Sequence, residues 1–258
     1  GIQAIELAGT LRQMQLDVDI VCDAPHPWAP IVGENVGGLI ARVLSSKGIK
    51  THVHAHPTRL EGDGRVQRVL LDNGEVITTD LVVGAIGIAP NKQILRATPI
   101  RSETAILADA HGRTNVPEIF AAGECAAIFD PLFDKHRLLQ HEHSALATGR
   151  LAGRNMAGIE EAYSDVSSFG SIIFNLELAV WGAARLVHHR IVRGSAHEDV
   201  PSLLELGVSD KGRVVQVVAA GNAIDRELLP ELIRNRVKLD GNEELAKDPA
   251  FDLRGLLG

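Results

Sequence analysis

Residues Thr114-Asn115-Val116-Pro117-Glu118-Ile119-Phe120-Ala121-Ala122-Gly123-Glu124-Cys125-Ala126 constrain this chain more than any other stretch. Pro117 sets the entry to an apolar run, and the small residues Ala121, Ala122 and Gly123 let a ligand as bulky as a flavin approach the backbone. The pattern predicts a strand that ends in glycine and acid, with the Glu124 carboxylate at its carboxyl end. Ligands of open α/β sheets bind at that end, where a carboxylate can accept hydrogen bonds from a polyol chain. The N–H groups of Cys125 and Ala126 would then face a phosphate or a ring edge. The competing reading is an ordinary buried strand followed by a helix with an acid at its N-cap.

The first residues, Gly1-Ile2-Gln3-Ala4-Ile5-Glu6-Leu7-Ala8, match the second half of a G-x-G-x-x-G/A dinucleotide fingerprint. Gly1 falls where the backbone meets a pyrophosphate, and Ala4 where helix packs on strand. The strand and glycine that should precede Gly1 are not in the chain, which suggests truncation at the N-terminus. An amphipathic helix over 3–15 and the apolar strand 18–22 complete the αβ part of a βαβ unit. Such a second strand ends in an acid for the ribose hydroxyls, and here Cys22 and Asp23 occupy that place. Asp23 on the ribose predicts NAD; if it turns away, His26 could accept the 2′-phosphate of NADP. The absence of an arginine beside this strand end favours NAD.

Thr79 to Asn91 reads as a buried strand running into a Gly-x-x-Pro turn at Gly87, which carries the chain out of this domain. Before it, 48–58, 66–71 and 76–78 read as strands, with an Asn73-Gly74 hairpin between the last two. His52, His54 and His56 alternate on one strand face about 6.6 Å apart. That spacing suits convergence on one metal ion poorly, so no metal is expected.

A helix starts near His143, and 156–161 reads as a linker. Strands follow at 169–184, 186–192, 200–208 and 212–219, with a Ser209–Gly212 turn between the last two. A helix over 225–236 should kink at Pro230 unless that residue lies in its first turn. The result is a mainly antiparallel sheet with a helix on one side, in which Trp181 and Phe174 are core or interface residues.

With only two cysteines, Cys22 and Cys125, and no C-x-x-C, neither a redox dyad nor a zinc ribbon is indicated, and a reducing cytoplasm is expected. The net charge of −7 disfavours nucleic acid. No apolar run reaches the ~20 residues that span a bilayer. H-E-x-x-H, Walker and G-x-S-x-G motifs are all missing.

Taken in order, these motifs resemble the FAD-dependent pyridine nucleotide-disulfide oxidoreductase superfamily, in particular ferredoxin, rubredoxin and putidaredoxin reductases, with apoptosis-inducing-factor-like flavoproteins close by. The resemblance also rests on Ala145-Leu146-Ala147-Thr148-Gly149-Arg150-Leu151-Ala152-Gly153 and on the tail Asp248-Pro249-Ala250-Phe251-Asp252-Leu253-Arg254. It implies an α/β fold in which a Rossmann-like NAD domain is inserted in a FAD domain, both incomplete here, followed by a C-terminal α+β domain. The expected boundaries are 1–89 for the NAD domain, 90–158 for the second half of the FAD domain and 159–258 for the third, which often dimerises.

The resemblance also implies roles. Glu6 takes the place of an acid near the nicotinamide amide, although an acid offsetting the helix dipole is an equal reading. Gly87, Gly123 and Cys125 would contact cofactor, and Glu124 replaces the usual Asp on the ribityl chain. His141 and Glu142 fall beside the flavin, with Glu142 where an aromatic residue is usual. The chemistry implied is electron transfer from NAD(P)H through FAD to a ferredoxin- or rubredoxin-type partner. Arg185, His188, His189, Arg190 and Arg193 are candidates for docking that acidic partner, or else a solvated strand surface. NADH oxidases, NAD(P)H nitrite reductases and a non-enzymatic, NADH-responsive binding protein share the same motifs.

Overall fold

The computed structural model describes residues 1–196 and 201–257. Helix α1 (Ile2–Gln13) opens the chain and ends where Gln15 turns to φ 66°. Strand β1 (Asp19–Val21) follows, then helix α2 (Glu34–Ser46) and strand β2 (Lys50–His52), which pairs in parallel with β1 with Ile20 opposite Thr51. α2 was not anticipated, yet it buries Val36, Leu39, Ile40 and Leu44 at helical spacing. Gly48, at φ +77°, closes it: the Gly48 N–H donates to Ser45 O and the Ile49 N–H to Leu44 O, satisfying two end carbonyls.

Strands β3 (Pro57–Glu61), β4 (Arg68–Leu71) and β5 (Val76–Thr78) form an antiparallel meander. The expected hairpin lies between β4 and β5: the Gly74 N–H donates to Leu71 O, and Gly74 sits at φ +88°. The single strand expected over 48–58 is broken, because His54 adopts φ +49° and only 50–52 pairs before β3. His52, His54 and His56 therefore share no strand face.

The stretch 79–91 departs most from expectation. Leu81, Val82, Val83, Ile86 and Ile88 are exposed, Ile86 at 97%, and no residue of the stretch joins a ladder among the described residues. An apolar run becomes a buried strand only where a neighbour supplies the other half of the ladder, and β1 and β2 pair only with each other.

Strand β6 (Ile106–Ala108) pairs in parallel with β7 (Ala126–Asp130), which pairs antiparallel with β8 (Lys135–Leu138). The predicted strand in 114–126 is another correction. Glu118 takes φ 66° in a turn, Phe120 makes one bridge to Arg113, and Gly123–Cys125 is a single 3-10 turn before β7 begins. Helix α3 (Glu142–Met156) follows as expected.

The last third is a five-stranded antiparallel sheet of β9 (Ser168–Ile173), β10 (Leu176–Gly182), β11 (His189–Ser195), β12 (Ser202–Val208) and β13 (Val214–Gly221), in the order β11-β12-β13-β10-β9. The strand expected at 169–184 is split into β9 and β10 by a tight reversal at Phe174, φ 55°. Val200, expected to start a strand, lies outside the described residues. Helices α4 (Leu228–Arg234) and α5 (Glu243–Lys247) close the chain. Pro230 is the third residue of α4, in the first turn, where its missing N–H removes no helical bond.

Period-two alternation gives this sheet two apolar faces. Leu178, Val180, Leu203 and Val218 face α1 and α2 and share one core with Ile5, Ala8, Ile40 and Leu44. Ala179, Trp181, Leu204, Leu206 and Val217 face α4 and pack on Leu229, Leu232 and Ile233. The opening βαβ unit and the closing sheet are thus packed into a common core, with Trp181 buried as expected.

Candidate functional site

Gly1 is the N-cap of α1, and the first turn of the helix carries no acid. Ala4 is half-buried and Glu6 is exposed. The Ser171 hydroxyl on β9 donates to the Glu6 carboxylate at 2.7 Å.

At the carboxyl end of β1 the Cys22 N–H donates to His52 O at 2.9 Å. The thiol lies 3.7 Å from Ala24 O, and burial is the main cause holding its pKa above the ordinary thiol value. Asp23 is exposed. The His26 ring is half-buried against α2, so close to Gly37 that a Cβ there would lie 2.0 Å from Nδ1.

The second group of residues surrounds the start of α3. Gly123 takes φ +74°, a backbone state that side chains disfavour, and its N–H donates to Thr148 Oγ1 at 2.9 Å. Glu124 and Cys125 are exposed on this turn. His141 is the N-cap of α3 without a side-chain cap bond, and Glu142 is the exposed first helical residue. The His141 ring stacks on Phe169 with centroids 3.8 Å apart, and burial, with help from Arg137, keeps its pKa below the usual imidazole value. Gly87, at φ +100°, lies in the exposed 79–91 stretch, which meets this group where the Gln140 amide donates to Ile88 O at 3.4 Å.

β9 brings the two groups together. Phe169 and Ser171 stand two residues apart and so on one face of the strand, one against His141 and the other against Glu6. Phe169 also meets Trp28 edge to face at 5.6 Å. Cys22 and Cys125, both free thiols, belong to different groups, on the nucleotide side and beside α3. Sequence reasoning missed Phe169, Ser171 and Thr148 as site supports; nothing local distinguishes them from other strand or helix residues.

Among the described residues no group of three or more His, Cys, Asp or Glu could hold a metal ion, and His52 is instead clamped between Asp19 at 2.8 Å and Glu75 at 2.7 Å. The basic cluster offered for docking is largely consumed within the chain. Arg190 donates to Ile31 O, Arg193 to Pro249 O and Phe251 O, and His189 pairs with Glu243 at 2.9 Å, leaving Arg185 and His188 exposed. No helix among the described residues is long and apolar enough to cross a membrane.

The arrangement is a mixed α/β scaffold of the kind seen in ferredoxin reductases. The crystal structure of the ferredoxin reductase for the CYP199A2 system from Rhodopseudomonas palustris matches it with a TM-score of 0.87 at 26% identity, over 98% of this chain and 62% of that one. The covalent putidaredoxin reductase–putidaredoxin complex shares the fold, with a TM-score of 0.87 at 21% identity over 98% of this chain and 60% of that one. In sequence the chain is 27% identical over 258 residues to the biphenyl dioxygenase system ferredoxin–NAD(+) reductase component of Paraburkholderia xenovorans (strain LB400), covering all of this chain and 62% of that protein. The pyridine nucleotide-disulphide oxidoreductase family matches residues 1–149, and the chain belongs to that family. It spans about three fifths of the length of these relatives.

Proposed function

We propose that this chain forms the NAD-binding and flavin-contacting part of a flavoprotein that passes electrons from NAD(P)H to a ferredoxin- or rubredoxin-type iron–sulfur acceptor. The observation that carries the reading is the double anchoring on β9, which fixes the start of α1 and the start of α3 against one strand. Two cofactor rings that exchange a hydride need such a common reference, because a displacement of about 1 Å can cost about 100-fold in rate.

In this reading residues 1–89 form the nucleotide domain, 90–158 the flavin half-domain and 159–258 the supporting third domain. The backbone at Gly1 receives the pyrophosphate while Ala4 lets the helix pack closely, and Glu6, oriented by Ser171, faces the nicotinamide amide. Asp23 takes the ribose hydroxyls, and its charge repels a 2′-phosphate, giving NAD preference over NADP. Gly123, Glu124 and Cys125 face the ribityl chain; His141 and Glu142 border the ring, and Gly87 approaches beside Gln140. When bound, FAD supplies the conversion of a two-electron hydride into single electrons.

The test is an absorption spectrum of the full-length protein before and after anaerobic NADH. Bands near ~450 nm that bleach on NADH addition support the reading. A flavin-free protein, or a bound flavin that NADH does not reduce, would overturn it. Bleaching followed by reduction of an added ferredoxin extends the reading to the acceptor class.

A further inference from the structure

Helix α2 begins without a cap of its own: Gly33 is the N-cap and carries no side chain. The cap comes from the far end of the chain. Glu205 of β12 accepts the Gly33 N–H at 2.7 Å and the Val36 N–H at 3.0 Å, a carboxylate set on a helix N-terminus. Alternation along β12 explains its direction, since Leu204 and Leu206 belong to the core on the α4 face and Glu205 turns to α2. Its side chain is fully buried, with the Arg190 guanidinium 3.6 Å away. A Cβ on residue 33 would lie 2.5 Å from Arg190 Cδ and 2.7 Å from Glu205 Oε2, so glycine is what this cap admits.

The same sheet face grips the loop leading to that helix. Ile31 O accepts from Arg190 Nη2 at 3.1 Å and from Gln216 Nε2 at 3.0 Å, while Trp28, buried at φ 69°, meets Phe169. This loop starts at the end of β1 with Asp23 and carries His26, seated in the gap at Gly37. Its first residues are tied to 52–55, where the Cys22 N–H donates to His52 O, the Ala55 N–H to Cys22 O and the His54 N–H to Ala24 O, while its second half, from Trp28 to Gly33, rests on contacts with the last third of the chain.

We infer that Glu205, supported by Gln216 and Arg190, is a positioning residue for nucleotide binding: it sets the 23–33 loop, and through it the Asp23 carboxylate, against the adenosine ribose. The inference rests on the nucleotide reading above, in which Asp23 faces that ribose. It assigns to the closing sheet a part in dinucleotide affinity that no contact with the dinucleotide would reveal.

The test compares binding of NADH and of reduced nicotinamide mononucleotide, which lacks the adenosine half, to the full-length flavin-loaded protein and its Glu205→Gln variant. Replacing one carboxylate oxygen by an amide sets a donor against a helix N–H. NADH affinity should fall about tenfold. Mononucleotide affinity and flavin content should stay unchanged. Equal NADH binding by both proteins overturns the inference while leaving the nucleotide reading intact. Equal loss for NADH and mononucleotide also overturns it, since that is general damage. A wild-type protein that holds flavin but binds no NADH removes the nucleotide reading, and this inference with it. Should Glu205→Gln fail to fold, Gln216→Leu removes one donor to Ile31 O and leaves the cap. It should weaken NADH alone by about threefold, and unchanged NADH binding by a folded Gln216→Leu variant overturns the inference.

Discussion

Thr148, on α3, accepts the N–H of Gly123 at 2.9 Å and donates to Ser144 O at 2.8 Å, so one hydroxyl ties the Gly123–Cys125 turn to the helix beneath it. Thr148→Val keeps the shape and leaves the Gly123 donor without this partner, which costs about 1–3 kcal/mol. Thr148→Ser should recover most of that. Urea unfolding of both variants checks the stability, and flavin retention by the full-length protein checks whether the turn is also held for the cofactor. A Thr148→Val protein as stable as wild type would remove this role.

Asp130 and Arg137 form a nearly closed ion pair across the β7–β8 hairpin at 2.7 Å, and Arg137 also donates to Ser167 Oγ and Gly182 O. Burial raises the Asp130 pKa, and Arg137 opposes that rise. Arg137→Met leaves the carboxylate buried without its partner and should cost about 3–5 kcal/mol at neutral pH. The pH dependence has a definite sign. A carboxyl whose folded pKa lies above its unfolded value favours folding where it is protonated, and that contribution is lost as pH rises. The variant's deficit should therefore shrink toward acid pH, where Asp130 is neutral. Denaturation at pH 5 and pH 8 measures it, and a deficit independent of pH would contradict the assignment.

For His52 burial lowers the pKa, but the hydrogen bonds its ring donates to Asp19 and Glu75 outweigh it and leave the imidazole above its ordinary value. The folded state thus binds this proton more tightly than the unfolded chain. Its stabilisation is complete below the unfolded imidazole pKa of about 6.5 and fades as pH rises through the higher folded value. The pair with Glu75 is largely exposed, so the effect stays within about 1 kcal/mol. His52→Asn should flatten this part of the stability profile between neutral and mildly alkaline pH; an unchanged slope counts against it.

Glu142 opens α3 with its side chain in solvent beside His141. If the flavin ring lies there, a carboxylate opposes negative charge on the reduced ring. Glu142→Gln in the full-length protein should raise the flavin potential, measured by redox titration. An unmoved potential would place the ring elsewhere or show that the charge is screened.

Elements that make their own bonds were legible in the sequence. α1, α3, the Gly74 hairpin and the Ser209–Gly212 turn depend on local periodicity and turn chemistry, and they appear where those signals put them. α2 carries the same signal in Val36, Leu39, Ile40, Val43 and Leu44, three to four residues apart. The failures at 79–91 and 114–126 share one cause: small and β-branched residues mark a backbone fit to pair, while pairing itself requires a second strand. For the site, the glycines and acids were visible as residue types. Their supports Thr148, Ser171 and Phe169 were not, because each acts on a residue 25 to 165 positions away.

The cap on α2 also has a consequence for how the molecule is made. Glu205 is separated by 172 positions from the Gly33 N–H that it receives. At about 5–20 residues per second on the ribosome, α2 waits roughly 10–30 s for its cap to be synthesised. Through that interval Val36, Ile40 and Leu44 have only the early half of their core to cover them. The nascent chain is therefore most vulnerable to chaperone capture and proteolysis before β12 emerges, and a stalled or prematurely ended translation product should be cleared fastest in that window.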